Sequence, residues 1–191
     1  MLQIITLPHE NLRQRSKRVA VVSEDTKKLI EEMKAATLAW EDSREHEVGV
    51  ALAAVQINRL ERVIVIREDF NDKQNRNFTA FINPEIVKLE GEIIEDYEGC
   101  LSIKDIYGKV PRHSKIRVKA IDENGFETRL RAEGFLARVF QHEIDHTNGI
   151  VFIDHIKQAH DAFYQLDSKG HLEPLNYDSV IKENAVLWPS E

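Results

Sequence analysis

Two histidines near residue 145 have the spacing of metal ligands. In the stretch "QHEIDH" (141–146), His142 and His146 are four residues apart, and Glu143 directly follows the first of them. On a helix, residues four apart lie on one face about a turn from each other, so both imidazoles can reach one ion. A carboxylate beside such a site can transfer protons. The pattern predicts metal-assisted hydrolysis if the chain also supplies a helix and a third ligand.

The third ligand has more than one candidate. Zinc-type sites that do chemistry hold the metal through three protein groups and leave a fourth position open. The pattern His-Glu-x-x-His-x-x-Gly-x-x-His is excluded, because Phe152 stands where its last histidine would be. Glu173 lies downstream in "SKGHLEP", where no helix is evident. Cys100 lies upstream in "DYEGCLSI", and its thiolate would be a strong ligand for Zn²⁺ or Fe²⁺. Spacing alone does not choose between these two.

The helix that must carry the histidines is predicted from the residues around them. In "AEGFLARVFQHEIDHTNG" (132–149), apolar side chains recur at helical spacing, and Gly149 is a stop signal after the last turn. A first long helix is predicted within residues 21–47, with Ser23 as its N-cap and two acidic residues in its first turn.

Between these helices, from about residue 62 to 131, the hydrophobic period changes to two. Short β-branched runs alternate with Asn, Pro and Gly, which is typical of strands and turns. Asn124 and Gly125 separate two such runs and predict a hairpin. The polar "NDKQNRN" (71–77) is predicted as an exposed loop. The order helix, antiparallel strands, helix predicts an α+β fold.

The composition bounds the class of protein. A chain of 191 residues that is 42% hydrophobic and 31% charged suits one domain with a substantial core. Its net charge of −7 argues against nucleic-acid binding of its own. No apolar run approaches the roughly 18 residues of a membrane span, and the N-terminus has no targeting pattern. The single cysteine fits a reducing compartment. The expected location is therefore the cytoplasm, away from membranes.

Three short blocks together resemble the peptide deformylase family, whose members remove the N-formyl group from newly made proteins. The blocks are "GVALAAVQI" (49–57), "EGCLSI" (98–103) and "QHEIDH" (141–146). They stand in that family's order and at about its usual intervals, and weaker similarities extend over most of residues 5–156. Each block is degenerate alone, but the combination is highly specific. The resemblance implies an α+β fold in which antiparallel β-sheets pack around a central helix that carries both histidines.

The resemblance also implies roles for single residues. The implied ligands of one divalent metal ion are Cys100, His142 and His146. Glu143 would be the general acid and base, while the Gln56 amide and the Leu101 N–H would donate to the oxyanion. A bound metal lowers the pKa of water enough to attack the formamide at neutral pH, and the two donors would stabilise the developing negative charge. Formate and a peptide with a free N-terminal methionine would be released.

The family's peptide lies extended against the first two blocks, like an added strand. The implied contacts here are Val50, Ala51 and Gly99, with Val139 lining an apolar pocket for the methionine side chain. The sequence departs from the family pattern at Ala51, where a glycine usually stands. A methyl group there is tolerated at negative φ and strained at positive φ. Ala51 therefore bears on peptide binding more than on metal binding.

The resemblance extends to the metal and the partners. Two imidazoles and a thiolate suit Fe²⁺, Zn²⁺, Ni²⁺ or Co²⁺, and the family favours Fe²⁺ in cells. The expected partners are N-formylmethionyl nascent peptides, with transient ribosome contact. Residues 1–156 would form the catalytic domain, and residues 157–191 a tail packed on it or extending from it. The tail shows no basic helix that would predict ribosome docking. The oligomeric state is not fixed by the sequence, and a monomer is the simplest expectation.

Three alternatives stay open. A deformylase-like protein that acts poorly on formylmethionyl peptides would follow from Ala51. A zinc endopeptidase would use Glu173 as its third ligand. A scaffold without catalysis would require Cys100 and the two histidines to be incidental. Metal binding by a Cys100 variant distinguishes the deformylase from the endopeptidase.

Overall fold

The computed structural model describes residues 3–188, in which seven strands form one continuous antiparallel sheet. The strands are β1 (Ala51–Ala53), β2 (Val63–Arg67), β3 (Phe78–Cys100), β4 (Ile103–Ile121), β5 (Glu127–Glu133), β6 (Phe163–Leu166) and β7 (Leu172–Pro174). Their order is β1-β2-β3-β4-β6-β7, and β5 pairs with β4. The α-helices are α1 (Glu24–Asp42), α2 (Gly134–Thr147) and α3 (Phe152–His155). The predicted α+β fold is confirmed, with a single sheet.

The first long helix begins where its cap predicts. The Ser23 hydroxyl accepts a hydrogen bond from the Thr26 N–H at 3.3 Å, and the Thr26 hydroxyl accepts one from the Ser23 N–H at 3.3 Å. The helix ends at Asp42, earlier than residue 47, because the Ser43 hydroxyl binds the carbonyl oxygen of Trp40 at 2.6 Å and closes the last turn. None of the helices in residues 3–188 is long and apolar enough to cross a membrane.

Strand β2 lies between the two long helices. Val63 and Val65 belong to the apolar cluster that contains the buried face of α1. Ile64 and Ile66 belong to the cluster that contains the buried face of α2. Alternate residues of a strand point to opposite faces of the sheet, so α1 and α2 cover opposite faces. This explains why "VIVI" (63–66) is buried throughout and is a continuous apolar run.

Strands β3 and β4 form a long hairpin whose turn carries the cysteine. Cys100 pairs with Ile103, so only Leu101 and Ser102 lie between them. Strand β3 pairs with β2 only over a short stretch, from Phe78 opposite Arg67 to Ile82 opposite Val63. Among the described strands, the rest of β3 pairs with β4 alone, which leaves one of its edges without a partner strand. Exposed apolar and acidic side chains share this edge: Glu85, Val87, Glu92, Ile93, Ile94, Glu95 and Asp96.

Two smaller predictions from the sequence are also confirmed. The turn between β4 and β5 contains Asn124 and Gly125, and the Asp122 N–H donates to the Phe126 carbonyl oxygen at 2.9 Å. The loop 71–77 connects β2 to β3 on the surface and consists largely of exposed residues.

The chain after residue 156 joins both the sheet and the core. Strand β6 pairs with β4, with Tyr164 opposite Tyr107. Phe163, Ile181 and Leu187 are buried in one apolar cluster with Phe152 of α3. The segment therefore shares the core of the preceding residues as far as the structure describes it.

Gly149, just after α2, generates the first prediction. Its φ is +78°, and an added Cβ would overlap the carbonyl oxygen of Arg13. We expect Gly149→Ala to lower the free energy of unfolding by more than the about 1–3 kcal/mol of left-handed backbone strain, because the methyl group must also displace Arg13. Urea unfolding measures this loss. Gly125→Ala is the matched control, since Gly125 has a φ of +86° and an added Cβ there would have no atom within 4 Å. Equal losses in the two variants would contradict the steric explanation.

Candidate metal centre

Three side chains from two elements converge at the end of β3. The ligand atoms of Cys100, His142 and His146 all lie within 4.8 Å of one another. The Cys100 Sγ atom is 3.2 Å from His146 Nε2, and the two imidazole rings are 5.0 Å apart between centroids. Glu173 lies on β7 opposite Gln165 and, among residues 3–188, is not part of a metal-ligating group. The structure therefore favours the cysteine over Glu173 as the third ligand.

The chemistry of these donors suits one metal ion. His146 has no exposed surface, and burial holds its pKa well below the usual value, so its imidazole is neutral as a metal ligand must be. Burial also acts to lower the pKa of His142, but the neighbouring Cys100 and Glu98 outweigh it and raise that pKa. The thiol and the carboxylate thus create a site that attracts positive charge. Cys100, His142 and His146 can hold one metal cation there.

Behind His142 lies a buried carboxylate, that of Glu98. Its oxygens lie 2.9 Å from His142 Nδ1, 2.9 Å from Arg112 Nε and 2.8 Å from Arg138 Nη1. Burial acts to raise the pKa of Glu98, but hydrogen bonds from His142 and Arg112 hold the pKa well below its usual range. A carboxylate on the second nitrogen of a ligating histidine fixes the orientation of the ring. Glu98 therefore leaves His142 Nε2 for the metal.

The two arginines are themselves anchored. Arg138 Nη1 donates to the Val110 carbonyl oxygen at 2.7 Å, and its Nη2 donates to that of Ile94 at 2.7 Å. Arg112 also pairs with Asp145, whose Oδ2 lies 2.7 Å from His155 Nε2. Buried charges are tolerated when each has partners. Two acidic and two basic side chains balance here, so the support of the metal centre is electrically compensated.

Sequence reasoning assigned no role to Glu98, Arg112 or Arg138. Two spacings carry a signal for them. Glu98 precedes Cys100 by two residues, which places both on one face of a strand. Arg138 precedes His142 by four residues, which places both on one face of a helix. A charged residue on the same face as a metal ligand points to a partner of that ligand.

Gln56 lies beside the cysteine in a short 3-10 helix, Ala54–Ile57. Its Oε1 accepts a hydrogen bond from the Ala53 N–H at 2.8 Å, which orients the amide. Its Nε2 lies 3.1 Å from Ser102 Oγ and 3.6 Å from Cys100 Sγ. Leu101 follows Cys100 directly in the β3–β4 turn. The two implied donors are thus adjacent to the ligand group.

Glu143 is buried next to His142. It is 5% exposed, and its Oε2 has no hydrogen-bond partner within the described part of the chain. Burial raises the pKa of Glu143 to about 7. A carboxyl group of this kind can accept and release a proton near neutral pH.

A cavity of about 440 Å³ opens in front of these residues. Nine of the ten site residues expected from the sequence line it, and His146 lies behind them, fully buried. The nine are Val50, Ala51, Gln56, Gly99, Cys100, Leu101, Val139, His142 and Glu143. The residues with an implied peptide contact therefore share one cavity with the metal-ligand group.

The backbone around Ala51 is relaxed. In the described chain, the non-glycine residues with positive φ are Asn58, Asn83 and Asp105, so Ala51 has the negative φ that tolerates a methyl group. Ala51 pairs with Ile66 in β1, an edge strand of the sheet. The substitution of alanine for the family's usual glycine therefore introduces no backbone strain.

A buried ion pair fixes the start of β1. The Glu41 carboxylate accepts a hydrogen bond from the Gly49 N–H at 2.8 Å and pairs with Arg67. Arg67 Nε in turn donates to the Gly49 carbonyl oxygen at 3.1 Å. Both sides of the Gly49 backbone are thus held by fully buried charges, and Val50 and Ala51 follow directly.

Gly99 is required by a neighbouring ring. An added Cβ there would lie 2.5 Å from the Tyr107 Cε1 atom. The Tyr107 hydroxyl donates to Glu47 at 2.6 Å, which keeps the ring in place. The resemblance implies that Gly99 serves close approach of the substrate, and the packing of Tyr107 is a second reason for a glycine.

The ligand group generates a prediction about metal content. Cys100→Ala removes one of three donors, so we expect the purified protein to lose its metal. Metal analysis by mass spectrometry measures this. Glu173→Ala serves as the control and should keep the metal content of the original chain. If Cys100→Ala retained the metal and Glu173→Ala lost it, Glu173 rather than Cys100 would be the third ligand.

Glu98 generates a separate prediction about affinity. Glu98→Gln keeps all three ligands but weakens the hold on His142, so we expect metal affinity to fall by about 10- to 100-fold. Competition with a chelator gives the affinity. Glu90→Gln is the matched control, because Glu90 lies on the same strand and binds Arg117 at the surface, 2.8 Å from its Nε. An unchanged metal affinity in Glu98→Gln would show that Glu98 does not support metal binding.

Comparison with known proteins agrees with this geometry. A family model described as polypeptide deformylase matches residues 1–162. A peptide deformylase of Halothermothrix orenii is 42% identical over 156 residues, which cover 82% of this chain and 94% of that protein.

Two solved structures are also similar. A Synechococcus elongatus peptide deformylase in complex with actinonin is 36% identical, with a TM-score of 0.73 over 81% of this chain and 79% of that one. A class I type b peptide deformylase of Acinetobacter baumannii with bound Met-Ala-Ser is 30% identical, with a TM-score of 0.72 over 82% and 98% of the two chains. The chain with the Cys100, His142 and His146 centre belongs to the peptide deformylase family.

Proposed function

We propose that this protein hydrolyses the N-formyl group of peptides that begin with formylmethionine, releasing formate. The observation that carries the proposal is the ligand group of Cys100, His142 and His146, with Glu143 and Gln56 beside it in one cavity. Family membership supports the same reaction. So does the Met-Ala-Ser peptide bound by the Acinetobacter baumannii relative, since that peptide has the form of a deformylated product.

The metal and Glu143 would both assist the attack of water on the formyl group. A divalent ion held by the three ligands supplies Lewis acidity, which lowers the pKa of water and polarises a carbonyl group. Glu143 accepts a proton from the attacking water as the new C–O bond forms. It then delivers that proton to the amine nitrogen as the C–N bond breaks. The products are formate and a free N-terminal methionine.

Two donors would stabilise the negative charge on the formyl oxygen. The side-chain amide of Gln56, oriented by the Ala53 N–H, donates from one side. The backbone N–H of Leu101, next to Cys100, is the second donor. Each such donor contributes on the order of 3 kcal/mol to transition-state stabilisation in other oxyanion sites. Gln56 is 1% exposed, so its amide acts where water does not compete.

The peptide would lie in the cavity as an additional strand. Strand β1 is an edge strand, and its Ala51 backbone would pair with an extended chain. The Val50 carbonyl oxygen already accepts a hydrogen bond from the Arg67 N–H at 2.8 Å, so Val50 would contact the peptide from the cavity wall that it lines. Gly99 would contact the peptide from the other side. Val139, which is 7% exposed and lines the cavity, would contribute to the pocket for the methionine side chain.

Fe²⁺ is the metal we propose for the cellular enzyme, with Zn²⁺, Ni²⁺ or Co²⁺ as substitutes that the same donors accept. A thiolate ligand is open to oxidation, which suits an enzyme of the reducing cytoplasm. The protein would act as a monomer. Its partners would be N-formylmethionyl nascent peptides, which it would reach through transient contact with the ribosome.

The test is formate release from formyl-Met-Ala-Ser by protein purified without oxygen and loaded with Fe²⁺ or Ni²⁺. We expect turnover, and a decrease of about 10²- to 10⁴-fold in kcat for Glu143→Ala, because the proton acceptor is lost. Metal analysis should show the same content in both proteins. Glu173→Ala should keep full activity. An absence of turnover by the metal-loaded original chain would refute the proposal.

A further inference from the structure

One wall of the cavity is formed by residues that follow the stretch matched by the family model. That match ends at residue 162, and the hairpin formed by β6 and β7 begins at Phe163. Leu166, Gly170 and Leu172 of this hairpin line the same cavity as the metal ligands. Part of the space in front of the metal centre is therefore formed by residues that follow the stretch matched by the family model.

The hairpin is held firmly in this position. The Tyr164 ring packs edge-to-face on Tyr97 of β3, with centroids 4.9 Å apart. In the turn, Asp167 Oδ1 accepts hydrogen bonds from the backbone N–H groups of Lys169 at 2.8 Å and His171 at 2.7 Å. The turn approaches the segment after α1 so closely that a Cβ on Gly170 would lie 3.3 Å from His46 Cγ.

We propose that the β6–β7 hairpin forms an apolar subsite for the third and fourth residues of the peptide, and this rests on the proposed deformylase function. Tyr164 of the hairpin contacts Tyr97, which precedes Cys100 by three residues on β3. An extended strand advances about 3.4 Å per residue, so the hairpin meets β3 roughly 10 Å from Cys100. A peptide that extends along β3 with its formyl group at Cys100 therefore reaches the hairpin with its third and fourth residues.

The lining residues determine the class of side chain. Leu166 and Leu172 are half-buried, and two aromatic residues that line the same cavity keep exposed surface, Tyr97 at 38% and Phe135 at 45%. These apolar surfaces lose contact with water when an apolar side chain covers them, which favours binding. Leucine or phenylalanine at the third and fourth positions fits this subsite.

The charged residues of the rim are engaged with one another. Arg44 lies 3.2 Å from Glu47 and 3.4 Å from Asp105, and Lys104 lies 3.8 Å from Asp105. Two positive and two negative groups thus compensate each other and provide no net charge to select an ionic side chain. The subsite therefore discriminates by apolar contact.

The experiment compares three substrates with the metal-loaded full chain: formyl-Met-Ala, formyl-Met-Ala-Leu-Leu and formyl-Met-Ala-Ser-Ser. We expect kcat/KM to be on the order of tenfold higher for the Leu-Leu peptide than for the Ser-Ser peptide, mainly through KM. Leu166→Asn and Leu172→Asn should abolish this preference and leave the rate on formyl-Met-Ala unchanged. Val186→Asn is the control, since Val186 is exposed in the same C-terminal segment and should keep the preference.

A binding measurement separates this inference from the proposed function. The Kd of the unformylated peptide Met-Ala-Leu-Leu requires no turnover, and we expect it to increase about tenfold in Leu166→Asn relative to the original chain. Thermal unfolding verifies that the variant is folded. If the original chain binds the Leu-Leu and Ser-Ser peptides equally, or if Leu166→Asn keeps the preference, the subsite is refuted. Failure to hydrolyse formyl-Met-Ala would instead refute the deformylase function.

Discussion

A single buried carboxylate, that of Glu98, connects the metal centre to the rest of the fold. A charge without water is costly unless it is fully paired, and here the partners come from different elements. Arg112 belongs to β4, while Arg138 and His142 belong to α2. All of them reach Glu98 only when α2 is seated in register on the β3–β4 hairpin. The interaction that compensates the charge therefore also orients the imidazole.

The helix α2 packs on the sheet with one face and presents two metal ligands on another. Phe140 and Ile144 pack in the apolar cluster with β2, which anchors the helix to the sheet. His142 and His146 face the end of β3 instead, where Cys100 completes the ligand group. Because the sheet supplies one ligand and the helix two, the metal centre lies at their interface. Apolar packing thus determines the distance between the sulfur and the imidazoles.

Local patterns predicted a large part of this arrangement. The period of α2, the spacing of its histidines and the Asn124–Gly125 turn are encoded by neighbouring residues, so they could be deduced without a structure. Spacing places Glu98 and Arg138 on the faces of metal ligands, but it does not show that they pair with each other and with Arg112, because an ion pair between distant segments leaves no periodic trace among 33 acidic and 26 basic residues. The β6–β7 hairpin was missed for a related reason. Its strands are only four and three residues long, and pairing with β4 rather than local propensity defines them.

The open edge of β3 has a consequence for the protein in concentrated solution. Unpaired strand edges with apolar side chains such as Val87, Ile93 and Ile94 are templates for aggregation. Here Glu92, Glu95 and Asp96 alternate with those residues or follow them. Two copies that approached each other edge to edge would bring these like charges together, and the repulsion opposes their pairing. The acidic residues of this strand thus oppose aggregation through its long unpaired edge.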